Sequence, residues 1–232
     1  NIFLSPEIDF LLEDLETSDK ASNILKKQEG SYTDLYFNYS INQDLRDKKF
    51  RTESGYVTTF SQELPLVSEN SELSNAFNIT NYKKLSSTSD MVGKVSFFAK
   101  TITGLSDDVR ISKRLNVPSS KLRGFQRGKV GPVENDDYIG GNHVTSLNFS
   151  ATLPNIVQGL DNLDVGVFVD VANVWGVDYN SSIDNSKLRS ATGVALNLMT
   201  PIGPLSFSFA NALTKASTDK TETFRFNLGT QF

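Results

Sequence analysis

The chain has 232 residues, of which 38% are hydrophobic and 22% charged, with a formal net charge of −4 and no cysteine. That length fits one large β domain or one and a half average domains, and the absence of cysteine excludes a disulfide framework and thiolate metal sites. Mild acidity without a basic stripe argues against a nucleic-acid partner. No apolar run reaches the roughly 18 residues of a transmembrane helix. No signal-like n-region and h-region opens the sequence, which leaves a soluble protein, a membrane protein that crosses by weaker signals, or an excised piece. The 16 Phe and 7 Tyr, against one Trp, sit mostly in short alternating segments rather than at helical spacing.

From Leu4 onward, Ile8, Phe10 and Leu12 share one parity while Glu7 and Asp9 share the other, a period of two that predicts a strand. Residues Glu16 to Gly30 are polar, with one short helical possibility at Ala21–Lys27. Leu35, Phe37, Tyr39 and Ile41 then alternate with Tyr36, Asn38, Ser40 and Asn42. After the polar connector Gln43–Ser54 comes a strand from Tyr56 to Leu64, which Pro65 is expected to end because proline cannot donate to a ladder. Further strands are expected at Asn75–Lys84, Val92–Ile102, Val144–Leu153, Val165–Trp175, Leu188–Met199, Pro204–Asn211 and Glu222–Phe232. In the Val165 segment the four valines 165, 167, 169 and 171 oppose Gly166, Phe168, Asp170 and Ala172.

This gives ten strands and no helix longer than two turns. Most strands run about nine to twelve residues, longer than the five or six usual in soluble sheets and as long as a tilted bilayer crossing requires. The polar parity carries Asn, Ser, Thr and charge, as a hydrated lumen would, and the apolar parity would face lipid. The reading is therefore all-β, a transmembrane antiparallel β-barrel, with a soluble β-sandwich as the alternative. Thr200-Pro201-Ile202-Gly203 reads as a tight turn, whereas Gly176–Lys187 and Ala212–Thr221 are longer and polar, the asymmetry of outer-membrane barrels. Gln43–Ser54 is an exception to it.

Between two strands lies a span of about forty residues, Gly104 to Asn142. An insertion that long is usually functional or disordered. This one places Arg123 between positions expected to be buried in Leu122-Arg123-Gly124-Phe125, then Gly131-Pro132, then Ile139-Gly140-Gly141-Asn142. Catalytic chemistry finds little support. His143 has no positioned Ser and carboxylate beside it and reads as a polar strand-end residue. Asp107-Asp108 and Asp136-Asp137 lack the spacing of a calcium loop, and Gly140-Gly141 has neither the Lys nor the helix of a phosphate loop. The expectation is a protein that is not an enzyme and holds no metal or cofactor.

The order LRGF (Leu122–Phe125), Gly131-Pro132, IGGN (Ile139–Asn142), Ser146-Leu147, Val169-Asp170 with Val174-Trp175, Ser190-Ala191-Thr192-Gly193 and the stretch Pro201–Ser208 resembles the C-terminal barrel of the BamA family. These are the outer-membrane protein assembly factors of Gram-negative bacteria. The likeness runs from about Leu35 to the end and is densest over 119–232, while Ala21–Ser31 looks like alphaproteobacterial versions. It implies a sixteen-stranded barrel preceded by POTRA domains, of which this chain supplies the last ten or so strands. Ten strands with unpaired edges cannot satisfy their backbone in lipid, so the POTRA domains and first strands are expected to lie outside this sequence.

The resemblance further implies that the long loop, about 104–142, folds back into the lumen and that Arg123 docks on acidic residues of the inner wall. Asp170 matches one of them. Asn148 stands where the family has a second acidic partner, leaving an Arg–Asp pair plus an amide acceptor, and Ala172 replaces a usual glycine. The family's seam lies between first and last strands. Here the seam strand would carry Phe224, Phe226, Leu228 and Phe232 toward lipid, Arg225 and Asn227 toward the lumen, and a kink at Gly229. Implied partners are nascent outer-membrane proteins, accessory outer-membrane lipoproteins and the lipid bilayer. The competing functions are a two-partner-secretion or TamA-like transporter of the same superfamily, and a passive porin or surface-antigen barrel. IGGN, Val174-Trp175 and the Gly203-Pro204-Leu205 turn favour the assembly factor, and a porin would not need the LRGF loop.

Overall fold

The computed structural model describes residues 2–19, 21–154, 162–184, 186–200 and 203–228. Its strands are β1 (Ile2–Leu15), β2 (Gly30–Asp44), β3 (Gly55–Val67), β4 (Glu72–Lys84), β5 (Val92–Gly104), β6 (Val133–Glu134), β7 (Asp137–Tyr138), β8 (His143–Pro154), β9 (Leu163–Trp175), β10 (Arg189–Thr200), β11 (Gly203–Thr214) and β12 (Phe224–Leu228). Ten of them form one antiparallel sheet in the order β1-β2-β3-β4-β5-β8-β9-β10-β11-β12. The small hairpin β6–β7 stands apart, inside the β5–β8 connection, with Asn135 and Asp136 both at positive φ as a two-residue hairpin turn requires. All ten expected strands are present, and a single helical turn, α1 (Asn23–Lys26), falls within the Ala21–Lys27 segment.

Period-two alternation sorts each strand's side chains between two faces. On the outer face apolar residues meet neighbour to neighbour: Ile8 with Phe37, Ile41 with Phe60, Phe60 with Phe77, Ile79 with Phe97 and Phe97 with Leu147. Further along, Val167 pairs with Val194, Val194 with Phe209 and Phe209 with Phe224. Many of these side chains are exposed, Ile8 at 67% and Val167 at 53% among them. A sandwich would bury such a face against a second sheet. A contiguous apolar surface running the width of the sheet suits hydrocarbon instead. No helix among the described residues is long and apolar enough to cross a membrane, so any crossing is made by strands. The nine strands other than β12 and those of the small hairpin are 12 to 15 residues long, more than the roughly 9–11 a tilted crossing needs.

Connections alternate between the two ends of the sheet. Those at 16–29, 68–71, 105–142, 176–188 and 215–223 leave one end, and 45–54 and 85–91 leave the other. The length asymmetry therefore has two exceptions, 68–71 and 45–54. Pro65 does not end β3, contrary to expectation. The strand continues to Val67, and the register slips so that Tyr36 faces Pro65 while Leu35 faces Val67. This leaves Leu66 without a partner, a bulge of the kind that accommodates proline within a sheet.

The inner face is not uniformly polar. Ile102, Val144, Ala172, Val174 and Ala191 from the wall pack with Val109, Leu115, Val117, Leu122, Phe125 and Val130 of the 105–142 loop into one buried cluster. Burying that much aliphatic surface is the main favourable term holding the loop inside.

Candidate functional site

Leu122 and Phe125 are each 2% exposed and anchor the LRGF turn in this inner cluster. Gly124 lies between them at φ +87°, where a β-carbon would come 3.1 Å from the β-carbon of Ala191 and 3.3 Å from that of Ala210. Glycine at 124 and alanine at 191 and 210 thus let the loop backbone approach β10 and β11 closely. The turn aims Arg123 at β9. Its Nε donates to Asp170 Oδ2 at 2.7 Å, its Nη2 to Oδ1 at 2.8 Å, and its main-chain N–H to Oδ2 at 3.1 Å. Forked geometry of this kind is the strong form of a guanidinium–carboxylate contact. The guanidinium carbon also lies 3.4 Å from the Phe168 ring centroid, a cation–π contact. Gly193 lies against both this ring and the neighbouring strand: a β-carbon there would fall 2.0 Å from the Phe209 carbonyl oxygen and 2.7 Å from Phe168 Cζ.

Asn148 takes part differently from the expected amide acceptor for Arg123. Its Nδ2 donates to Asp170 Oδ1 at 2.9 Å and to the Lys121 carbonyl at 2.7 Å, and its Oδ1 accepts from Ser146 Oγ at 3.2 Å. The amide thus fills Asp170's remaining acceptor capacity while leaving a single carboxylate opposite a single guanidinium. A buried neutral pair with its lone pairs satisfied is the least costly way to hold charge in an apolar setting.

The other loop motifs sit at its far end. Gly131 and Pro132 are buried, and Ile139 packs with Leu25 and Val177. Gly141 lies so close to β9 that a β-carbon would meet the Trp175 carbonyl oxygen at 2.4 Å, and Gly140 has φ +73°. Leu115 and Gly141 exchange backbone hydrogen bonds of 2.7 and 2.9 Å, which closes the loop's base. Asn142 donates to Asp178 Oδ2 at 2.9 Å and accepts from Arg114 Nη1 at 2.9 Å. Asp178 also takes the Val109 N–H at 2.8 Å and an ion pair from Arg114. Burial opposes its charge, but hydrogen bonds from Arg114, Asn142 and Val109 outweigh it, and its pKa is lowered.

Three buried arginines were not singled out from the sequence. Arg110, fully buried, is ion-paired to Asp34 of β2 and to Glu72 of β4 at 3.4 Å. Tyr36 Oη donates to Glu72 at 3.0 Å, and the guanidinium lies 4.3 Å from the Tyr32 ring. Burial works against its charge, yet Asp34 and Glu72 raise its pKa. Arg114 is the second. The third is outside the loop: buried Arg189 forks onto buried Asp219 at 2.9 and 3.1 Å, joining the start of β10 to the 215–223 connection, and its Nη1 donates to Asn173 Oδ1 at 2.7 Å. The signal for Arg110 was present as parity, because Asp34 and Glu72 lie on the inner face of their strands, where a buried carboxylate requires a cation.

The expected seam residues Phe224, Phe226 and Leu228 are exposed on the outer face of β12, and Arg225 points inward. Gly229 and Phe232 lie outside the described residues. His143 packs its ring 5.6 Å from Trp175. Asp107, Asp108, Asp136 and Asp137 are exposed.

An antiparallel meander with an apolar outer face and an arginine-bearing loop seated on its inner face is the architecture of a transmembrane β-barrel with a lumen loop. Residues 8–232 match the Omp85 superfamily domain, and the chain belongs to that superfamily. Within it, the chain is similar to the outer membrane protein assembly factor BamA of Neorickettsia risticii, 31% identical over 49% of this chain and 16% of that protein. It is likewise similar to the BamA of Neisseria meningitidis serogroup B, 30% identical over 48% of this chain and 17% of that protein. The chain thus spans well under a quarter of the length of these relatives. Among solved structures it is similar to BamA from Haemophilus ducreyi lacking POTRA domains 1-3, with a TM-score of 0.77 at 25% identity, covering 85% of this chain and 42% of that one.

Proposed function

We propose that this chain is part of the barrel of an outer-membrane protein insertase that templates incoming strands at a lateral seam. The observation that carries the reading is β12. It ends the sheet, pairs with β11 over Phe224–Leu228 among the described residues, and presents Phe224, Phe226 and Leu228 outward. A strand entering a membrane carries unpaired N–H and C=O groups that are costly in hydrocarbon, and an edge such as β12 offers them partners by β-augmentation. No covalent bond changes in this process, so it calls for no catalytic residue, metal or cofactor. The similarity to BamA proteins supports a bacterial outer-membrane location, nascent outer-membrane proteins as clients and accessory lipoproteins as partners. The small share of these BamA proteins that the chain covers supports a barrel completed by strands outside this sequence, with POTRA domains beyond them.

The test introduces a cysteine near Leu228 and another in the first strand of the complete barrel, closes the disulfide after folding, and measures client assembly in vivo. Insertion by strand templating is expected to fall sharply when the seam is locked and to recover on reduction. Undiminished client assembly would refute templating. It would favour polypeptide transport through the lumen, as in a secretion transporter, or a passive barrel.

A further inference from the structure

Between β11 and β12 the chain leaves the sheet and runs along the lumen loop. Gln126 N–H donates to the Lys220 carbonyl at 2.9 Å, Lys220 N–H to that of Lys129 at 3.1 Å, and Glu222 N–H to that of Gly124 at 3.0 Å. Phe125 and Thr221 form an antiparallel bridge. The segment that leads into the last strand is therefore paired with the LRGF turn. One side chain of β12 continues the attachment. Arg225, 11% exposed, donates from Nη1 to the Ser119 carbonyl at 2.6 Å and from Nη2 to the Phe125 carbonyl. It also forks onto Glu222 Oε2 at 3.2 and 2.9 Å. Its two carbonyl acceptors bracket LRGF on both sides. Among the described residues β12 pairs with β11 over Phe224–Leu228. The last strand is thus held by its ladder to β11 and by a charge-assisted attachment to the loop.

We propose that Arg225 is a positioning residue that couples the order of the last strand to the seating of the LRGF turn. Seating Arg123 on Asp170 fixes the carbonyls of Ser119 and Phe125, and those carbonyls hold Arg225 and with it β12. The coupling is reciprocal, as any equilibrium linkage is: freeing β12 removes a donor from carbonyls that then need water. The inference rests on the reading above for its consequence, in that a client strand at the seam would sense whether the loop is docked. The coupling itself can be measured without any client.

The experiment follows amide hydrogen exchange in the complete barrel, in lipid nanodiscs, for wild type, Arg225→Gln, Arg225→Lys, Arg123→Lys and the Arg123→Lys/Arg225→Gln double variant. Charge-assisted hydrogen bonds are each worth enough that losing this set is expected to speed opening about tenfold to a hundredfold. In Arg225→Gln the amides of 124–126 and of 224–228 should quicken together, with those of β2–β4 unchanged. Arg225→Lys keeps the charge but cannot span both carbonyls and should fall in between. Arg123→Lys, which touches β12 nowhere, should quicken 224–228, and the double variant should add little beyond the larger single effect.

If Arg225→Gln fails to fold, Arg123→Lys alone decides: unchanged exchange at 224–228 overturns the coupling. Independent, additive effects overturn it as well. So does uniform quickening across the sheet, the mark of a merely structural role. A failure here leaves strand templating standing, because no client is involved. A failure of the seam-lock test removes templating and leaves this linkage intact.

Discussion

Along β8–β10 the inner wall offers the loop Val144, Ala172, Val174 and Ala191, and the loop answers with Leu122, Phe125 and Val130 around one Arg123–Asp170 pair. Along β1, β2 and β4 the wall offers carboxylates, Glu13, Asp34 and Glu72, and the loop answers with Arg110. Apolar contact is graded, so removing one methyl weakens it by a fraction and leaves the rest in place. A buried charge cluster behaves differently, because deleting its one guanidinium leaves carboxylates facing each other out of water. The loop is thus held by a surface that yields gradually on one side and by a fastening that holds or fails on the other.

The largest effect should follow from removing that fastening. Arg110→Ala is expected to cost about 3–5 kcal/mol, the usual penalty for breaking a buried pair, measured as a shift in the melting of the folded barrel on gels. Neutralising the carboxylates in the same background, Asp34→Asn with Glu72→Gln, should restore much of the loss. Absence of rescue would mean that packing, not charge, dominates this half. Next comes Arg123→Ala, expected to cost about 2–4 kcal/mol by the same logic, toward the lower end because the guanidinium is 22% exposed while Asp170 is fully buried. Its test is the same melting assay, in which Asp170→Asn should soften the second loss through a double-mutant cycle. A cost for Arg123→Ala as large as that for Arg110→Ala would erase the contrast between the halves.

The smallest effect is in acid. Asp178 has a lowered pKa, so its folded form binds protons less readily than its unfolded form. Its contribution is fully present above the ordinary carboxylate range near 4 and is lost as pH falls through the lowered folded value. The stability difference between wild type and Asp178→Asn should be flat from about pH 8 to 5 and shrink below about pH 4. A difference that persists undiminished through the acid range would show that Asp178 acts by shape alone.

The strand pattern was legible almost throughout, because alternation of Phe, Val and Ile against Asn, Ser and Thr is a local signal that each strand carries in itself. The bulge at Leu66 was not, since Pro65 alone reads as a stop and only pairing with Tyr36 and Leu35 shows the chain going on. The LRGF turn was legible through its resemblance to a family. The role of Asn148 was half legible: its inward parity was plain, but which of its two amide atoms faces Asp170 depends on Ser146 and Lys121. Arg110, Arg114 and Arg189 were missed because their partners lie tens of residues away and no local pattern marks an arginine as buried.

The place made for Phe168 by Gly193 has an evolutionary corollary. A β-carbon at 193 would meet the Phe209 carbonyl oxygen at 2.0 Å as well as the tip of the Phe168 ring at 2.7 Å, so the close pairing of β10 with β11 and the ring beneath the Arg123 guanidinium both depend on glycine there. Among relatives, glycine at 193 should therefore persist even where residue 168 is smaller, because trimming the ring leaves the clash with the β11 backbone in place.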